Sequence, residues 1–100
     1  MVIVIFEFTV KPGKEDSYFE IAAEVQAEVE KIDGFLGVER FQSTVYSNKF
    51  VSLSRWGDEA AVKTWRDQCD HKIAQEKGKR EIFERFLLRT VKVLKENAQN

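Results

Sequence analysis

VIVIFEFTV, residues 2–10, decides the fold, because its apolar side chains occupy both alternating registers of an extended chain. Val2, Val4, Phe6 and Phe8 fall in one register and Ile3 and Ile5 in the other, so a strand formed here has two faces that avoid water. A sheet with one solvated face would alternate more cleanly. The segment is β-branched and aromatic, carries Glu7, lacks a basic n-region and is too short to cross a bilayer, so it reads as a buried strand and not as a leader or a span. It stops at Lys11-Pro12-Gly13, which is turn chemistry.

Outward from this strand, residues 14–32 place Tyr18, Ala22, Val25, Val29 and Ile32 at a 4-3-4-3 spacing, one stripe along a helix, with Glu20, Glu24, Gln26, Glu28 and Lys31 largely off it. Asp33-Gly34 ends that helix, since glycine enters the left-handed conformation that closes a last turn. Residues 35–43 and 49–56 predict two strands, joined by a turn over 44–48 in which Ser47 and Asn48 are the turn residues. Gly57-Asp58-Glu59 opens a second helix with a capping residue and negative charge at its positive end. This helix is predicted to reach about Gln68, and a further one to run from near Asp70 past Gln75 and weaken at Gly78. Residues 85–94, rich in Phe, Leu, Val and Thr, predict the last strand before a polar tail.

The order strand, helix, strand, strand, helix or helix pair, strand builds an α+β domain over 1–100: a split βαβ antiparallel sheet with every helix on one face. The other face then needs a cover, and a symmetry-related sheet in a homodimer would supply it.

Composition agrees with a compact domain. With 43% hydrophobic residues, a 100-residue chain can bury enough core to fold without a disulfide or a metal. Sixteen Lys and Arg against seventeen Asp and Glu, interspersed and summing to −1, argue against nucleic acid or an anionic membrane as partner. Cys69 has no second cysteine to pair with, and one histidine cannot anchor a structural zinc site, so no metal is expected and a reducing, cytoplasmic setting is the simplest reading.

Pro12-Gly13 after an apolar strand, DGF at 33–35, VSLSRW at 51–56 followed by DEAAVKTW at 58–65, and DHKIAQ at 70–75 together resemble the antibiotic biosynthesis monooxygenase family over nearly the whole chain. The resemblance implies a ferredoxin-like fold that pairs its sheets face to face in a dimeric α+β barrel. That family includes cofactor-free oxygenases of aromatic polyketides, quinol monooxygenases, haem-degrading oxygenases and members with no assigned activity, so reaction must be argued from the site. The haem-degrading members use an asparagine on the first strand, a tryptophan on the second helical segment and an axial histidine about ten residues further on. Here Trp65 matches, but Phe6 and Glu7 stand on the strand, Gln75 stands at the histidine position, and His71 falls six residues past Trp65, which disfavours haem degradation. The cofactor-free oxygenases resemble this chain in a tryptophan, a polar aromatic residue shortly after it and an arginine near the last strand. These map onto Trp65, His71 and Arg85, with histidine in place of the tyrosine that the resemblance implies.

Oxidation by O2 without flavin or metal requires the substrate to supply the electron, so a phenol, quinol or anthrone must first become an anion, with a base to take the proton and donors to hold the oxyanion. His71, the one side chain with an ordinary pKa near neutrality, is the candidate base; the plainer reading is a surface or capping histidine. Trp65 offers an indole N–H and a flat wall, or packs as core on the Ala61, Val62, Trp65 stripe. Arg85 and Arg89, four apart, share a face of a regular strand and either suits an anionic oxygen, or else a solvated position or an interface ion pair. Ser52 and Ser54 put small hydroxyls on one side of the sheet, leaving room for a ligand or for a helix. Glu7 reads as a base, an arginine partner or an edge residue, and Cys69 as packing. The expectation is a homodimeric, cofactor-independent monooxygenase of a small aromatic molecule. The alternative is a non-catalytic small-molecule-binding or stress-related barrel protein.

Overall fold

The computed structural model describes residues 1–75 and 81–99, with side chains through 68 and from 81 onward. The elements follow in the order β1 (Val2–Val10), α1 (Glu15–Val29), β2 (Phe35–Gln42), β3 (Lys49–Trp56), α2 (Glu59–Gln75) and β4 (Phe83–Lys92). All strand pairs are antiparallel, and the sheet order is β2-β3-β1-β4, the split βαβ arrangement of a ferredoxin-like fold.

β1 lies between β3 and β4, and its pairing sorts the sheet into two faces. Val2 faces Trp56, Val4 faces Ser54, Phe6 faces Ser52 and Phe8 faces Phe50, and these residues look toward the helices. Ile3, Ile5, Glu7 and Thr9 pair with Arg55, Leu53, Val51 and Lys49 on the opposite, open face. Both registers of residues 2–10 are therefore used, as two-sided apolar strands require.

Two clusters form the core between sheet and helices. Val2, Val4, Val29, Trp56, Ala61 and Val62 make one, with Val25, Ile32, Phe35 and Trp65 packed against it. Phe8, Val10, Tyr18, Ala22, Phe50 and Ile82 make the other, with Phe6, Ile21 and Phe83 alongside.

Three boundaries differ from the sequence expectations. α1 ends at Val29 and the chain tightens through shorter bonds, Lys31 N–H to Glu28 at 3.1 Å and Ile32 N–H to Val29 at 3.0 Å, which still deliver Ile32 to the core. α2 is one continuous helix and not a pair: Asp58 Oδ1 caps it by accepting from Ala61 N–H at 2.8 Å, and no Gly or Pro occurs between 59 and 75 to break it. The expected weakening at Gly78 lies outside the described residues. β4 runs two residues earlier than expected because its length is set by its partner: it pairs from Val10↔Phe83 to Val2↔Lys92, and Leu94, beyond the end of β1, is exposed.

Gly34 joins α1 to the rest. Its φ is +95°, and a Cβ there would stand 2.8 Å from Ala61 Cβ. Its carbonyl accepts from Gly57 N–H at 2.7 Å, so the end of the α1 region and the start of α2 meet through bare backbone.

Candidate active site

On the helix face, the two clusters meet along a strip of half-buried side chains. β1 contributes Val4 to one cluster and Phe8 to the other, with Phe6 between them; β3 contributes Trp56 and Phe50, with Ser52 between. Phe6 stacks on Phe8 at 4.7 Å and meets Phe83 edge-on at 5.5 Å and Phe86 at 5.9 Å. Across from Phe6 on β4, Leu88 is also partly exposed. Ile21 and Val25, one turn apart on α1, each join a different cluster, and Trp65 of α2 stands half-buried against the first. The strip is apolar and aromatic around Phe6 and polar beyond Ser52, where Arg40 of β2, the cross-strand partner of Ser52, donates to Gln26 Oε1 at 3.0 Å and to the Ala22 carbonyl at 3.4 Å.

Trp65 is held by ring packing. Its ring lies 5.5 Å from that of Trp56 at 37°, and among the described residues its indole N–H has no hydrogen-bond partner. Trp56 is fully buried, and its Nε1–H donates to Ser54 Oγ at 2.9 Å. Of the two predicted hydroxyls, Ser54 is therefore engaged by protein, while Ser52 stays half-buried beside Phe6.

Glu7, Arg85 and Arg89 are not brought to Trp65. They sit on the open face, with the sheet between them and the helices. Arg85 and Arg89 do share a face, as their spacing predicts, but a bulge fixes which one: Thr9 pairs with Arg85 and Val10 with Phe83, so Glu84 is the extra residue. Neither arginine lies on the side of the sheet that carries Trp65. Arg89 Nη1 instead donates to Glu7 Oε2 at 3.2 Å, and Lys49 Nζ bridges to Glu7 Oε1 at 3.0 Å. The hydrogen bond from Lys49 first, then that from Arg89, holds the Glu7 carboxyl below the usual carboxylate range. Glu7 is thus paired with both Lys49 and Arg89.

His71 lies on the backbone of α2, six residues past Trp65, and its side chain is outside the described residues, as are those of Cys69 and Gln75. Among the described residues no group of His, Cys, Asp and Glu could hold a metal ion, and no helix is long and apolar enough to cross a membrane.

Sequence reasoning did not single out Phe6 or Trp56 as site-forming residues. Their signal is parity: Ser52, Ser54 and Trp56 alternate on β3 opposite Phe6, Val4 and Val2. Tyr18 was read only as part of the helix stripe. It is buried against Phe8, Phe50 and Phe83, and burial pushes its phenol above the ordinary tyrosine range, partly offset by Arg40.

Comparison with known proteins places this geometry. Residues 1–77 match the antibiotic biosynthesis monooxygenase family. The chain is 38% identical over 93 residues to a jasmonate monooxygenase of Pyricularia oryzae, covering 93% of this chain and 43% of that protein, so it spans less than half the length of that relative. It is 31% identical over 90 residues to the uncharacterised protein YqjZ of Bacillus subtilis, covering 90% of this chain and 76% of that one. In fold it is similar to SnoaB, a cofactor-independent oxygenase from Streptomyces nogalater, with a TM-score of 0.81 at 15% identity over 98% of this chain and 97% of that one. Rv0793 from Mycobacterium tuberculosis superposes with a TM-score of 0.80 at 17% identity over 97% of this chain and 98% of that one. The strand order, the two-sided sheet and the match over 1–77 agree: the chain belongs to the antibiotic biosynthesis monooxygenase family.

Proposed function

We propose that this protein is a homodimeric monooxygenase that oxidises a small aromatic phenol, quinol or anthrone with O2, and that the substrate lies along the helix-face strip beside Trp65. The carrying observation is the half-buried Trp65, packed on Trp56 in one core cluster, with Phe6 of the other cluster next after Val4 on the same face of β1 and Ser52 paired with it. A planar ring placed there gains aromatic contact with Phe6 and Trp65, while Ser52 Oγ–H and the Trp65 N–H are the donors for an oxyanion. His71 is the proposed base. For an anthrone, it takes a proton from the CH2 group; the resulting enolate passes one electron to O2, radical and superoxide combine at that carbon, and the peroxide anion recovers the proton from His71 and then loses water. One oxygen atom ends in the new carbonyl and the other in water.

Arg85 and Arg89 are assigned to the open face, where Ile3, Ile5, Val51, Leu53, Leu87 and Val91 leave an apolar surface that a second copy would cover. A cytoplasmic setting fits the lone cysteine. The placement of both arginines away from Trp65 also favours a second reading, a barrel that binds a small molecule without turning it over.

The test is anthrone oxidation under air and under argon with labelled O2. Protein-dependent formation of quinone carrying one labelled oxygen, lost in His71→Ala while sedimentation still reports a dimer, is expected. Identical rates with and without protein would overturn the enzyme reading, and ligand-induced thermal stabilisation without turnover would favour the binding module. A stable 11.6 kDa monomer at micromolar concentration would sink the dimer.

A further inference from the structure

We propose that Ser54 and Trp56 form a buried support that fixes the orientation of Trp65 at the candidate site, with Ser54 as the positioning residue. The proposal rests on reading Trp65 as the wall of that site.

Trp56 has no exposed surface, so its indole N–H needs a partner inside the protein. Ser54, two residues earlier on the same face of β3, accepts it at 2.9 Å. The neighbours of Ser54 across the sheet are Val4 on β1 and Val38 on β2, so a hydroxyl there stands between two aliphatic residues where an aliphatic residue would pack equally well. With its N–H pinned, the Trp56 ring meets Phe35 edge-on at 5.2 Å on one side and Trp65 at 5.5 Å on the other. Trp65 arrives from a different element, and its own N–H makes no bond among the described residues. Trp65 packs on the first core cluster, and within it the ring it meets is that of Trp56, whose orientation bears on its tilt. The chain of support runs from Ser54 Oγ, through the Trp56 N–H, to the Trp65 ring.

Two indoles in this contact couple their electronic transitions, which gives a bisignate circular-dichroism band that needs no substrate to observe. Trp65→Phe removes the band and so assigns it. Ser54→Ala should reduce it by about half or more and weaken binding of 1,8-dihydroxyanthraquinone by about tenfold, because the orphaned indole N–H turns the ring. Ser54→Thr, which keeps the oxygen, should restore both. Val10→Ala, a comparable loss of packing in the other cluster, should leave the band unchanged, which separates positioning from general destabilisation. Should Ser54→Ala fail to fold, Ser54→Val fills the place without a hydroxyl and is read in the same way. A Ser54→Ala or Ser54→Val protein with the wild-type band, measured well below its melting temperature, overturns the proposal. If the wild-type protein neither binds the anthraquinone nor oxidises anthrone, the reading of the site has failed, and the band alone then decides the support: reduced in Ser54→Ala it stands, retained it falls.

Discussion

Gly34→Ala tests the fold at the point where two connections cross. An L-residue forced to a φ of +95° lies outside its preferred regions, at a cost of about 1–2 kcal/mol. The added Cβ would also stand 2.8 Å from Ala61 Cβ, and the backbone bond from Gly57 N–H to the Gly34 carbonyl restrains both sides from moving apart. Overpacking of this kind costs about 1–3 kcal/mol, so the total loss should be about 2–5 kcal/mol. For a 100-residue chain this corresponds to a fall in melting temperature of roughly 10–40 °C. Urea unfolding should show an earlier midpoint with an unchanged slope. The two contributions separate in a double-mutant cycle: Ala61→Gly costs about 1 kcal/mol alone for helix propensity, yet in the Gly34→Ala background it should recover about 1–3 kcal/mol by removing the contact. A Gly34→Ala protein within about 0.5 kcal/mol of wild type would refute the reasoning, and strict additivity in the cycle would refute the contact part of it.

Two pH effects follow from the charges. Glu7 is held low by Lys49 and Arg89, so its contribution is present above the unfolded carboxylate pKa and is lost as the pH falls through the lower folded value. Carboxyl-carbon NMR should find Glu7 below the ordinary range and Lys49→Met should move it up; no movement would remove the assigned cause. Tyr18 is raised chiefly by burial, so its contribution is full below the unfolded tyrosine pKa and is lost as the pH rises through the folded one. The phenolate absorbance should show a late alkaline step that disappears in Tyr18→Phe, and survival of that step would contradict the burial argument.

The helix stripe from Tyr18 to Val29, the glycine turn at Gly34, the hairpin and the two-sided first strand were all legible, because each is a periodicity or a turn preference contained within one segment, whereas the end of α1 falls three residues before the expected Ile32. The site was less so. Trp65 is visible as a residue on an apolar stripe, but Trp56 meets it from another element while bonded to Ser54, and nothing in the local pattern distinguishes Ser54, which is engaged, from Ser52, which has no side-chain partner among the described residues. The break expected in α2 between Gln68 and Asp70 is absent, since no Gly or Pro there terminates a helix.

By itself the sequence determined which side chains share a face within each strand, including Arg85 with Arg89 and Ser52 with Ser54, since strand period is fixed by backbone geometry. It could not determine which of the two sheet faces those pairs take. That is a matter of register between distant segments, and here it turns on the bulge at Thr9 and Val10, which places Glu84 as the extra residue in β4. Pairing shifted by one residue would send Arg85 and Arg89 to the helix face beside Trp65. Tertiary pairing, and not the local pattern, placed them on the open face with Glu7.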